Sequence, residues 1–322
     1  MAQVRNAAAE ATARLEGAGR ARVLEPSPPA VTDETFADDP VNTVPPGEGP
    51  IVSPVPNADR LWSDVVVERP ELSSWAADRW LGAYRRLGPP PADYAATRLS
   101  LHRVAAYVMS PARRRANGRI ALRWTLGGFG TPFFAEDVQV RLEGADLVVQ
   151  EGDGVREAPL TNLVDAAALV GSVPDEEWAS RYDIPESGGV ESPLEVDAEA
   201  ARYLGDWYGF AYSVLEELRS DVASVDDSRV QLWPEHFDAA FEMLSDEEHR
   251  RASYGASPGD STIDEPYVYV APWYPDDRPE STVWNAPFGA ALPLSEFVDA
   301  PDQRAAVLEF WRQGRDVLAG GA

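Results

Sequence analysis

Residues 159–166 read PLTNLVDA and residues 293–300 read PLSEFVDA. Two segments this alike suggest one unit used twice, and other pairs extend the match in order. Trp80-Leu81-Gly82 with Ala83-Tyr84 answers Trp207-Tyr208-Gly209 with Ala211-Tyr212. Arg98 to Leu101 answers Arg229 to Leu232, and Glu136 to Val140 answers Glu265 to Val270. Trp80 stands 79 residues before Pro159, and Trp207 stands 86 before Pro293. A spacing of that size fits a duplicated domain and not a solenoid array. Two unrelated halves of similar class are the competing reading. The sequence thus predicts an α+β fold of two tandem similar units, each a helix, three or four largely antiparallel strands and a closing helix.

Periodicity and breakers place the elements. Trp80, Ala83, Tyr84 and Leu87 recur at helical spacing, and Gly88 with three prolines stops that helix. Arg98 to Met109 alternates enough to predict a strand, as does Arg119 to Leu126, which Gly127 to Pro132 ends. Val138–Leu142 and Leu147–Gln150 flank Glu143-Gly144 as a hairpin. Leu160 to Val170 reads as helix. In the second half Asp197–Arg219 is the clearest helix, with Leu204, Trp207, Ala211, Leu215 and Leu218 on one face. Arg229–Met243, Arg251–Ser257, Tyr267–Trp273 and Ala286–Leu294 read as strands, and Pro301–Leu318 as a helix. Residues 1–59 read as a short helix and a Pro-rich disordered arm. The first unit spans 60–172, a linker 173–196, and the second unit 197–322.

Composition narrows the function classes. Hydrophobic residues are 44% of 322, and 31 aromatics supply a globular core. The net charge of −26 opposes sequence-independent binding to nucleic acid. All 28 basic residues other than histidine are arginine, which a GC-rich coding bias explains without function. With no cysteine there is no disulfide, thiolate metal site or cysteine nucleophile. No apolar run reaches the length of a membrane span, and no secretory h-region opens the chain. A cytoplasmic protein with a small-molecule or protein partner is expected, touching neither nucleic acid nor membrane.

The densest polar constellation is Trp233-Pro234-Glu235-His236-Phe237-Asp238. Read as one strand interrupted by Pro234, it sets Trp233, Glu235 and Phe237 on one face and His236 with Asp238 on the other. Glu235, His236 and Asp238 are the candidate catalytic residues: His236 as a base with Asp238 as its orienter, beside Glu235, whose pKa an aromatic face would raise unless an arginine pairs with it. With Asp260 they also offer oxygen and nitrogen ligands for a divalent metal, although no metal-binding motif is present. The competing reading is structural, since histidines on strands are commonly satisfied core residues. Trp233, Tyr254, Asp260 and Trp273 are candidate binding residues. Ser257-Pro258-Gly259-Asp260 fits a type II turn. Tyr267, Tyr269, Trp273, Tyr274 and Trp284 line either a binding surface or the core. Gly127-Gly128-Phe129-Gly130 reads as a turn, and Arg113-Arg114-Arg115 as a solvated hairpin tip. No HExxH, nucleophile elbow, Walker loop or dinucleotide fingerprint occurs.

LWPEHFD at 232–238, YGASPGD at 254–260 and EPYVYVAPW at 265–273 together resemble an uncharacterised family of proteins from high-GC bacteria, with GGFGTPFF and VQVRLEG in the first half. The resemblance spans residues 60–318. It implies a single-chain cytoplasmic α+β protein and carries no catalytic residue with it. The sequence expectation is therefore a binding or interaction scaffold with an interlobe surface, the alternative being a hydrolase-like or metal-assisted enzyme using Glu235, His236 and Asp238.

Overall fold

In the computed structural model the described residues are 86–320, apart from 126–127, 133, 135–137, 152–153, 182–183, 186–187, 220 and 222. The arm expected over 1–59 and the Trp80–Tyr84 helix lie outside them.

Arg98–Met109 is helical, not a strand. Helix α1, Tyr94–Val104, passes through one π turn at Ala105–Met109 into α2, Ser110–Asn117. Tyr94, Thr97, Leu101, Val104 and Val108 are buried, a helical spacing, whereas Leu99 faces solvent. Two buried hydroxyls on α1 cap backbone donors from the following chain: Thr97 Oγ1 accepts the Asp197 N–H at 2.9 Å and Ser100 Oγ the Glu195 N–H at 3.0 Å. Pro111 has no N–H to return to the Tyr107 carbonyl, which accepts the Asp175 N–H at 3.0 Å instead. The π turn sits where that helical bond is missing. Arg113-Arg114-Arg115 lies on α2 and is no hairpin tip. Arg113 is buried and bonds the Ala121 carbonyl, and Arg114 pairs with Asp175 at 2.9 Å.

Each half then forms an antiparallel meander of five strands, more than the three or four expected. The first is β1 (Arg123–Thr125), β2 (Gly128–Gly130), β3 (Val138–Glu143), β4 (Asp146–Glu151) and β5 (Gly154–Pro159). Gly128–Gly130 is thus a strand and not a breaker. The close passage of β3 requires its glycines, since a Cβ on Gly130 would lie 2.6 Å from that of Arg141. The second is β6 (Gln231–Trp233), β7 (Asp238–Met243), β8 (Ala252–Ser257), β9 (Tyr267–Pro272) and β10 (Ala290–Pro293). The two sheets meet at one antiparallel bridge, where Leu122, just before β1, and Leu232 of β6 exchange N–H···O bonds of 2.7 and 2.9 Å.

The PLTNLVDA segment ends β5 and forms helix α3, Leu163–Val170, capped by Asn162. Residues 176–179 form the short α4. The long α5, Ala198–Arg219, begins where Asp197 Oδ1 accepts the N–H groups of Glu199 and Ala200, both at 2.9 Å. PLSEFVDA ends β10 and forms α6, Leu294–Phe297, before α7, Gln303–Leu318. Helix α5 packs on β1, β2, β7 and β8, and α7 on β9 and β10. The α7 contact is close: a Cβ on Gly314 would stand 2.8 Å from Val270 Cγ2. Asp221 ties the end of α5 to α7 through Arg312 and Arg315, both at 2.8 Å.

Strand parity sorts the second sheet into two faces. Leu232, Ala239, Phe241, Tyr254, Ala256, Val268 and Val270 are buried, on the face that carries the helices. Trp233, Asp238, Ala240, Gly255, Tyr267, Tyr269 and Ala291 share the opposite face. Among the described residues no helix is long and apolar enough to cross a membrane.

Candidate functional site

The run expected as one interrupted strand is a hairpin: β6 turns at Pro234–Phe237 and returns as β7. Glu235, His236 and Phe237 therefore belong to a turn, and strand parity does not assign their faces. Phe237 closes the turn at φ +56°, its N–H donating to the Trp233 carbonyl at 2.7 Å. A left-handed aromatic residue costs on the order of 1–3 kcal/mol, and packing offsets it here. The ring is buried, stacks on His102 at 4.8 Å and meets Phe129 and Tyr208 edge-on at 5.1 and 5.6 Å. Its carbonyl accepts the Tyr208 hydroxyl at 2.6 Å. From α1, His102 Nε2 bonds the Pro234 carbonyl at 2.9 Å. Desolvation lowers the His102 pKa to about 4, so the ring is neutral and Nε2–H is the donor.

The fixed turn starts β7 with Asp238 on the face away from the helices, where the residue is 5% exposed. Its Oδ2 accepts the Tyr269 hydroxyl, while Oδ1 has no partner. Tyr269 belongs to β9 and reaches β7 by lying across Gly255 of β8. A Cβ on Gly255 would fall 2.5 Å from the Tyr269 Cζ and hydroxyl. On the next loop Gly259 takes φ +100°, the sign a type II turn needs at that position, and its N–H donates to Ser257 Oγ at 3.1 Å, while the Asp260 N–H bonds the Ile263 carbonyl at 2.8 Å. Asp260 Oδ1 takes the Thr262 and Ile263 N–H groups at 2.6 and 3.0 Å, and its Oδ2 takes the Tyr267 hydroxyl at 2.6 Å. From α1, Tyr94 donates to the Pro258 carbonyl at 2.9 Å and Arg98 pairs with Asp264 at 3.1 Å. Tyr267, Tyr269 and Phe288 group with ring centroids 6.1 to 6.2 Å apart.

The electrostatics follow from this enclosure. Burial raises the Asp238 carboxyl above its usual value; the Tyr269 hydroxyl, His236 and the residue's own backbone N–H pull it down, and Asp260 pushes it up. Burial likewise raises Glu235, while its own backbone N–H and then His236 lower it and Asp238 raises it. Glu235 is half-buried and its Oε2 is without a partner. Neither carboxylate has an ion-pair partner among the described residues. Burial also lifts the Tyr267 and Tyr269 hydroxyls, with the neighbouring carboxylates adding to it.

Of the residues expected at a site, Trp233, Glu235, His236, Asp238 and Asp260 gather at this end of the second sheet. Tyr254 lies on the helix-covered face, fully buried, its hydroxyl without a partner. Trp273 sits at the far end of β9, 46% exposed, beneath the Arg251 guanidinium at 5.2 Å. Among the described residues no three of His, Asp and Glu group so as to hold a metal ion. A shallow hollow of about 490 Å³ lies elsewhere, between α2 and the end of α3, lined by Arg115, Ala168, Gly171, Ser172 and Val173. The sequence did not assign Gly255, Phe288 or His102 to the site. Gly255, a glycine inside a strand, was the available signal for a close approach. In the sequence Tyr269 is one of an aromatic run, with nothing to single it out. Comparisons with protein-family models, with curated proteins and with solved structures find no match.

Proposed function

We propose that the protein is a binding scaffold whose ligand site is the acidic, tyrosine-lined end of the second sheet's face away from the helices, around Asp238 and Glu235. One observation carries this: a carboxylate that is 5% exposed keeps one oxygen without a partner. Such an atom costs about 1–3 kcal/mol if nothing satisfies it, and a bound donor recovers that energy. The site is held from the other half, because His102 and Phe129 pack on Phe237. This supports the reading of an interlobe surface. The cytoplasmic setting that goes with it rests on the cysteine-free composition. A crystallographic fragment screen tests the assignment. Density at Asp238 and Glu235 is expected, lost in Asp238→Ala; hits clustered only elsewhere, such as the Arg115–Val173 hollow, would overturn it.

The raised carboxyls of Glu235 and Asp238 beside His236 favour a second reading, a hydrolase-like enzyme with Glu235 as general acid. Turnover of activated esters, phosphodiesters or glycosides that disappears in Glu235→Gln is its test. We also infer that the two halves descend from one unit. Each runs helix, five-strand meander, then a helix on its PL segment, and the two sheets meet at an antiparallel bridge, as a twofold would require. The PL pairing falls on the fifth strands of both sheets. By contrast Arg98–Leu101 is helix where Arg229–Leu232 enters β6, and β3 is a third strand where β9 is a fourth. An experimental structure in which 94–170 and 198–297 fail to superpose strand for strand would remove the inference.

A further inference from the structure

We propose that the ligand of the Asp238 site is an organic cation with at least two N–H donors, a guanidinium or primary ammonium group, held between Asp238 Oδ1 and Glu235 Oε2 against the Tyr267 and Tyr269 rings. The inference rests on the binding site proposed above and adds the chemistry of its occupant.

The local inventory of donors and acceptors decides the class. Both unpartnered atoms are carboxylate oxygens, so the ligand must donate. The tyrosine hydroxyls are already spent, Tyr269 on Asp238 and Tyr267 on Asp260. Besides the hydroxyls these side chains have ring surface, whose face is electronegative and attracts cations, and of the two Tyr269 is the partly exposed one. Asp260 adds a third carboxylate whose field reaches Asp238, so an anion would meet three like charges. Arg98, the nearby guanidinium, is engaged by Asp264 and the carbonyls behind the turn. A neutral acceptor would leave both carboxylate oxygens unmet.

A metal ion is the other cation to weigh. Hard divalent ions take six or more oxygens, and among the described residues no three carboxylates or histidines are grouped for one. Two unpartnered carboxylate oxygens on different residues, near aromatic rings, match instead the directional N–H groups and flat face of a guanidinium, or the three donors of an ammonium. A net charge of −26 draws such a ligand from a distance.

The test titrates the full chain with methylguanidinium chloride and n-propylammonium chloride, with N-methylurea as the neutral isostere, at constant ionic strength. Amide and indole resonances of Trp233–Asp238 report binding. Saturable shifts are expected for at least one cation, at least tenfold weaker for N-methylurea and in Asp238→Asn. If the Asn variant does not fold, Glu235→Gln decides, with a fivefold or larger loss expected. Shifts of the same residues by N-methylurea as strong as those by the cations would keep the site and sink the cation class. No saturable shift at the turn with any probe would remove both.

Discussion

Asp238 shows how one residue can hold a cost that its fold alone does not repay. A carboxyl whose folded pKa lies above its unfolded value binds protons more readily in the native state. Stability therefore falls as pH rises, from the ordinary carboxylate range up to the raised value, and stays lower above it. The groups facing Asp238 are Tyr269 and Tyr267 from β9, Asp260 from its loop, Glu235 and His236 from the turn, and Tyr208 from α5. Asp238→Asn keeps an acceptor for Tyr269 and removes the buried charge. Its midpoint of thermal unfolding should exceed that of the parent at pH 7, with the gain shrinking as the pH is lowered; a variant less stable at pH 7 would contradict this. Gly255 tests the other half of the arrangement. In Gly255→Ala the new methyl displaces the Tyr269 ring, and the expected cost is about 1–3 kcal/mol, read by urea denaturation. An unchanged midpoint would mean that the ring moves aside freely. The sequence gathered Trp233, Glu235, His236, Asp238 and Asp260 because they are near one another in the chain. It could not supply Tyr269 as the bonding partner, since that contact crosses an intervening strand and depends on a glycine there.

At the scale of elements, legibility tracked how cleanly burial follows periodicity. Helices α5 and α7 and the β3–β4 hairpin were readable because an apolar stripe, or an alternation closed by a turn glycine, has one structural solution. Helix α1 was not, because Leu99 faces solvent while Thr97 and Ser100 go inside to meet backbone N–H groups. The apolar and the buried residues there overlap but do not coincide. The β6–β7 hairpin escaped for another reason. Its left-handed position holds Phe237 where turn chemistry favours glycine or asparagine, and contacts from α1, β2 and α5 supply the difference. A prediction belongs to the α7 contact. Gly314→Ala places a methyl 2.8 Å from Val270 Cγ2, and overpacking of that kind costs about 1–3 kcal/mol. Against it stands the higher helix propensity of alanine, worth about 1 kcal/mol in the opposite direction. The collision should win, lowering the denaturation midpoint; a rise would show that α7 can lift from β9.

At the scale of the molecule, the candidate site and the joint between the halves are mechanically one feature. The two sheets touch through Leu122 and Leu232, and Leu232 lies one residue before Trp233, where the site begins. Phe129, on β2 of the first half, is 1% exposed and packs edge-on against Phe237 and Tyr208. It therefore supports the left-handed turn from outside the second sheet. Two separable consequences follow. Phe129→Ala should destabilise the protein by about 3–5 kcal/mol, as large aromatic truncations do. The milder Phe129→Leu should cost less and leave the chain folded at 25 °C, so that its site can be titrated. In that variant Phe237 loses an edge-on neighbour, the turn relaxes, and methylguanidinium binding at Trp233–Asp238 should weaken by at least threefold although Phe129 belongs to the other half. Wild-type binding in a folded, destabilised Phe129→Leu would show that the second unit shapes its site alone, and that the joint serves stability without serving the site.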